Sequence, residues 1–154
     1  MIYITGTNSD LGKLLIKELT KLKLEFSVIN RNLDNLYINN DDYFIHIAAA
    51  TPFNSPNIKY KDIYNKNIEL TKNIISKDVI KVKKFIYISS INAAELESIN
   101  KNSIKYYYAK SKFDSERILI DSKVNLYSIR LPLILSKRNL GFLNNIRSKI
   151  QNDK

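Results

Sequence analysis

Met1-Ile2-Tyr3-Ile4-Thr5-Gly6-Thr7-Asn8-Ser9-Asp10-Leu11-Gly12 opens the chain. A short apolar run, Met1 to Thr5, ends at Gly6. From Leu11 to Leu24, apolar residues recur at positions 11, 14, 15, 16, 19, 22 and 24, close to the period of a helix. A strand, a glycine turn and a helix in that order form the setting in which a glycine loop can cradle a dinucleotide. Gly6 permits the tight turn, and Gly12 lets the helix pack on the sheet. The helix N-terminus, with Asn8, Ser9 and Leu11, receives the pyrophosphate. The middle glycine of such loops is absent, its place falling on Ser9 or Asp10 according to the spacing. A plain strand–turn–helix capped by Asn8, Ser9 or Asp10 accounts for the same residues. The loop alone leaves both readings open.

The alternation continues along the chain. Phe26–Ile29, Phe44–Ala48, Lys84–Ser89 and Asn125–Leu131 read as strands, and the polar, Asn-rich Asn30–Asp42 reads as a loop with at most a short strand near Leu36–Ile38. Helical patterns cover Lys59–Lys77, Tyr107–Asp121 and Leu140–Ile150, and Thr51–Asn57, with two prolines, reads as a loop. Strands separated by helices imply βαβ units. The expected fold class is α/β, a Rossmann-like parallel sheet of five to six strands with helices on both faces. Residues 1–154 form one domain in this reading, by length and by the absence of a linker.

Composition narrows the function classes. There is no Cys, which excludes disulfides and thiolate metal sites, and a single His, so no metal site is expected. No apolar run approaches the roughly 20 residues that span a bilayer, and no signal peptide precedes the first strand. A cytoplasmic protein without membrane attachment is expected. The net charge of +10 suggests nucleic acid, but only 5 of the 25 basic residues are Arg and the lysines are scattered. Ile, Lys and Asn make up 63 of the 154 residues, the bias of an A/T-rich genome, so a solvated lysine surface is the expectation.

Tyr108-Ala109-Lys110-Ser111-Lys112 carries the candidate chemistry. Tyr108 and Lys112, four residues apart, share one helix face. An ammonium there favours the phenolate, and a tyrosine that exchanges its proton near neutral pH is a general acid/base. Ser90 can hydrogen-bond the same substrate oxygen. The spacing also arises by chance in a chain with 10 Tyr and 20 Lys, where it marks a solvated helix face. After the second strand comes Asn30-Arg31, with no acid until Asp34. An acid at that place suits the ribose hydroxyls of NAD and an arginine suits the 2′-phosphate of NADP, so Arg31 leans towards NADP.

Several segments, taken in order, resemble one family. They are Ile4-Thr5-Gly6 with Gly12, Ile45-His46-Ile47-Ala48-Ala49, Asn67-Ile68-Glu69-Leu70-Thr71-Lys72-Asn73, Val82 to Ser90, Tyr108 to Lys112 with Glu116, and Tyr127-Ser128-Ile129-Arg130-Leu131-Pro132. The chain resembles the extended short-chain dehydrogenase/reductases, the NAD-dependent epimerase/dehydratase group that acts on nucleotide sugars.

The resemblance implies an NAD(P)-dependent oxidoreductase or epimerase on a nucleotide sugar, with hydride transfer to or from nicotinamide. Tyr108 would be the acid/base. Lys112 would bind the nicotinamide ribose and lower the tyrosine pKa, and Ser90 would orient the substrate. Gly6, Asn8, Ser9, Leu11 and Gly12 would hold the pyrophosphate, while Ala48 and Ala49 line the nicotinamide half. His46 would pack beside the cofactor strand, and Asn67 would join a helix to a strand by hydrogen bonds. The family also implies a homodimer through helices 59–77 and 107–121, with Ile63, Leu70, Ile74 and Phe113 on the shared face. In a monomer the same side chains would cover the sheet. The chain departs from the family at the missing glycine, at Leu133-Ile134-Leu135-Ser136 after Pro132, and in lacking the C-terminal substrate-binding portion. An impaired NAD(P)-binding or regulatory protein that keeps the fold is the alternative. The sequence does not separate epimerase, dehydratase and reductase, although the short interval from 90 to 108 favours the first or last.

Overall fold

The computed structural model describes residues 1–30, 33, 36–51 and 58–132. Its elements are β1 (Ile2–Thr5), α1 (Asp10–Lys21), β2 (Phe26–Ile29), β3 (Tyr43–His46), α2 (Tyr60–Ile75), β4 (Lys84–Ser90), α3 (Ile104–Asp121) and β5 (Leu126–Leu131), with short 3-10 turns at Asp78–Lys81, Ile91–Ala93 and Leu96–Ser98. The strands form one parallel sheet in the order β2-β1-β3-β4-β5. The chain leaves β1 for β2 on one side and crosses to β3 on the other, so the order reverses between β1 and β3. That reversal opens a crevice beyond the carboxyl ends of the strands.

Helices cover both faces, as expected. Ile4, Ile45 and Ile47 pack with Leu19, Leu11, Leu15 and Ile16 of α1. On the opposite face Phe44, Phe85 and Tyr87 pack with Ile74 of α2 and Leu119 of α3. The rings of Phe44 and Phe85 stack at 5.2 Å. The apolar stripe is narrower than the sequence suggests: Leu14 of α1 is exposed, because only one side of this surface helix meets the sheet, and Leu22 and Leu24, past the end of α1, are exposed as well.

Leu36–Ile38 forms loop rather than strand, and Leu36 and Ile38 pack against the core. Two expectations are corrected. Helix α3 begins three residues earlier than periodicity indicates. Its N-cap is Ser103, whose hydroxyl accepts the Tyr106 N–H at 3.1 Å. Gly12 is required by the turn rather than by the sheet, since a Cβ there would lie 2.4 Å from the Gly6 carbonyl oxygen and 2.6 Å from Thr7 Cα. Ile63 and Ile74 are fully buried within the fold, and Leu70 packs against the core, so these three side chains are taken up by this chain's own packing. Arg31, most of the 51–57 loop and the helix expected at 140–150 lie outside the described residues.

Candidate functional site at the carboxyl ends of the strands

Gly6 has φ +77°, and a Cβ there would stand 2.4 Å from the Ala48 nitrogen. The turn after β1 and the exit from β3 therefore touch backbone to backbone. Thr5 ties them further. Its hydroxyl accepts the Ala48 N–H (3.3 Å) and pairs with His46 Nδ1 (2.7 Å). His46 is buried, and burial with the nearby Lys112 charge lowers its pKa to about 3. A neutral imidazole in that position is a packing and hydrogen-bonding group, as expected of it.

Ser9 resolves the open reading of the glycine loop in part. It is the N-cap of α1, accepting the Gly12 N–H at 3.0 Å and donating to the Gly6 carbonyl at 2.7 Å. One first-turn donor is thus satisfied internally. Leu11, the second helical residue, has no intrahelical acceptor for its N–H. Asn8 is exposed beside it, and Ala48 and Ala49 are half-buried across the crevice.

Helix α3 brings the Tyr108–Lys112 turn to the end of β4. Lys112 is 2% exposed and its Nζ donates to the Ile88 carbonyl at 2.8 Å, 4.8 Å from the centre of the Tyr87 ring. Burial lowers its pKa to about 7, partly offset by Glu116. Tyr108 is half-buried, and burial raises its phenol above the usual value. The expected lowering by Lys112 is not met, because the ammonium reaches back to β4 rather than to the phenol. Ser90 Oγ accepts the Asn92 N–H at 3.3 Å. Ser90 ends β4 and caps the turn Ile91–Ala93, which packs beside α3 and β5. No hydrogen bond joins Ser90 to Tyr108 among the described residues.

A buried polar ladder sets the height of this turn. Asn67 Oδ1 accepts the Ala50 N–H (2.6 Å), and its Nδ2 donates to the Ala50 carbonyl (3.1 Å) and to Ser111 Oγ (2.9 Å). Ser111 in turn donates to the Tyr108 carbonyl (2.7 Å). One turn on, Thr71 Oγ1 pairs with Ser115 Oγ at 3.0 Å. Asn67 therefore joins α2, α3 and the β3 exit. The roles of Thr71, Ser111 and Ser115 were missed in the sequence. The available signal was a small polar residue repeated at i and i+4 on the inward stripe of both helices.

Glu116, also buried, receives Arg130 and Ser128 from β5. Burial raises its pKa, but the hydrogen bonds from Arg130 and Ser128 and the Arg130 charge outweigh that and leave it below the usual carboxylate range.

No family model and no curated protein matches this chain. Solved structures do. RMD from Pseudomonas aeruginosa, complexed with NADPH, superposes with a TM-score of 0.63 at 20% identity, over 85% of this chain and 54% of that one. The Bordetella bronchiseptica enzyme WbmG, in complex with NAD and UDP, gives 0.61 at 19% identity, over 84% and 52%. A UDP-galactose 4-epimerase gives 0.62 at 18%, over 84% and 55%. The chain spans about half the length of the structures it matches. At these identities the likeness is one of architecture, and it is the architecture that the short-chain dehydrogenase/reductase resemblance implies: this chain has the Rossmann-like α/β fold of these nucleotide-binding enzymes.

Proposed function

We propose that this chain is the nucleotide-binding part of an NAD(P)-dependent oxidoreductase or epimerase that acts on a nucleotide sugar. The observation that carries the reading is the meeting of the Gly6 turn, Ala48 and the Tyr108–Lys112 turn around one crevice, where the strand order reverses. The donor set fits a dinucleotide. The positive end of α1 and the Leu11 N–H face a pyrophosphate. Lys112 has ammonium donors left for ribose hydroxyls. Asp10 in the first turn of α1 repels phosphate and weakens the site. Arg31, two residues after β2 in the sequence, supports NADP over NAD. UDP in the Bordetella structure and the epimerase relative support a nucleotide sugar.

The nicotinamide supplies the hydride acceptor or donor when bound. Tyr108 holds the proton that leaves or returns to the sugar hydroxyl. Its raised pKa keeps it protonated at neutral pH, so the phenol acts as the acid of a reduction, and an ammonium brought near it makes it the base of an oxidation. Ser90, at the end of β4, orients the reacting oxygen. The Asn67–Ser111 bond holds the turn still while this happens.

A second reading, a binding or regulatory protein without turnover, draws on the Ser9 cap and on Asp10. Calorimetric titration with NADH and NADPH, followed by assay on UDP- and GDP-sugars, separates the readings. The enzyme reading expects binding, turnover, and a fall of about 10²–10⁴-fold in turnover in Tyr108→Phe with cofactor affinity kept. Binding without turnover favours the second reading, and binding of neither cofactor removes both.

A further inference from the structure

Lys112 and Glu116 are four residues apart on α3, the spacing at which a lysine and a carboxylate on one helix face attract each other. In this fold no ion pair joins them among the described residues. Arg130 takes the carboxylate instead, with Nε donating to Oε1 at 3.0 Å and Nη2 to Oε2 at 2.6 Å, and Ser128 Oγ adds a third bond to Oε1 at 2.8 Å. A two-point guanidinium–carboxylate pair is the stronger and more directional choice. Glu116 is only 5% exposed, so its oxygens must be satisfied inside the protein, and β5 does that. Lys112 spends one of its three donors on Ile88.

We propose that Arg130 and Ser128 clamp Glu116 so that its carboxylate stays off Lys112, leaving the remaining ammonium donors free for the ribose hydroxyls of a dinucleotide. The ligand in this proposal rests on the reading above, while the clamp itself does not. Arg130, Ser128 and Glu116 are positioning residues that act through Lys112. The groups that face Lys112 are Tyr108 and Glu116 on its own helix, Tyr87 and the Ile88 carbonyl on β4, and His46 on β3. Burial keeps His46 neutral and raises both phenols, so Glu116 is the anion that acts on the ammonium.

The test is an NMR titration of the whole chain labelled with ¹³C at lysine Cε, with the Lys112 signal assigned by its loss in Lys112→Arg. Freeing the carboxylate in Arg130→Gln is expected to raise the Lys112 midpoint by about one unit or more, and Glu116→Gln to lower it. Ser128→Ala, on the exposed edge of β5, removes a single bond and is expected to give a smaller rise. It decides the matter if Arg130→Gln does not fold. An unchanged or lowered midpoint in Arg130→Gln, or in Ser128→Ala where it stands alone, overturns the clamp. NADPH titration of the same variants reads the purpose of the clamp. Weaker binding in the variant whose midpoint rises supports it, and unchanged binding there overturns the link to the ligand. Failure of the wild-type chain to bind either nucleotide overturns the functional reading instead, and the midpoints still judge the clamp.

Discussion

The two faces of the sheet are built from different chemistry. The α1 face is apolar: Ile4, Ile45 and Ile47 against Leu19, with Leu11, Leu15 and Ile16 around them. The α2/α3 face also has a large apolar centre, but it buries Asn67, Thr71, Ser111, Lys112, Ser115 and Glu116 near the carboxyl ends of the strands. Apolar packing asks mainly for volume and tolerates small shifts. A buried donor or acceptor asks for a partner at a set distance and direction, and leaving it unmade is expensive. The polar face therefore fixes positions to within a hydrogen bond. That is where the Tyr108–Lys112 turn sits.

The contrast can be broken most sharply at Gly6, where the apolar side has no tolerance. Gly6→Ala meets both a left-handed φ and the Ala48 backbone. It is expected to destabilise by about 3 kcal/mol or to prevent folding. A urea midpoint within error of wild type would show that the turn can move away from β3.

The next effect compares the faces directly. Asn67→Ala leaves the Ala50 amide and carbonyl and Ser111 without their partner, for a loss of about 2–4 kcal/mol. Ile45→Val on the other face is expected to lose only about 1 kcal/mol. Equal losses by chemical denaturation would mean that the polar ladder carries no special weight.

Lys112 gives the same contrast a pH axis. Its folded pKa, about 7, lies below its ordinary 10.5. Between those values the unfolded chain binds the extra proton, so stability rises with pH from about 7 towards 10.5, with a slope of at most about 1.4 kcal/mol per unit. Below the folded pKa the full cost of burying the ammonium applies. Lys112→Met is expected to flatten that rise, and a wild-type urea midpoint that falls with pH over the same interval would contradict it.

The smallest effect lies where α3 ends. Lys123 has φ 61°, the conformation in which a Cβ is unfavourable and glycine is the usual helix-ending residue. Lys123→Gly is expected to stabilise by about 0.5–1 kcal/mol, read as a rise in Tm. A fall would mean that loss of backbone freedom outweighs the relieved strain.

Much of this was legible beforehand. Strand and helix patterns depend on residues a few positions apart, so β1, α1, β2, β4 and the parallel alternation could be read from periodicity. Gly6 announced its turn. The Tyr108–Lys112 spacing placed both residues on one helix face, and the family resemblance implied the hydrogen-bonding post of Asn67. The start of α3 at Ser103 was missed because a cap is a single side-chain bond without a period.

The sequence by itself determined the order of elements and the parallel sheet, since both follow from local steric and hydrophobic rules. Tertiary structure alone decided which partner each polar group took. Lys112 went to Ile88 and not to Tyr108, Glu116 to Arg130 and not to Lys112, and Ile63 and Ile74 into this chain's own core and not onto a free surface. The physical reason is distance along the chain. Partners separated by 14 residues, as in Glu116–Arg130, or by 44, as in Asn67–Ser111, meet only after strands and helices have packed. Burial then makes the best available partner obligatory.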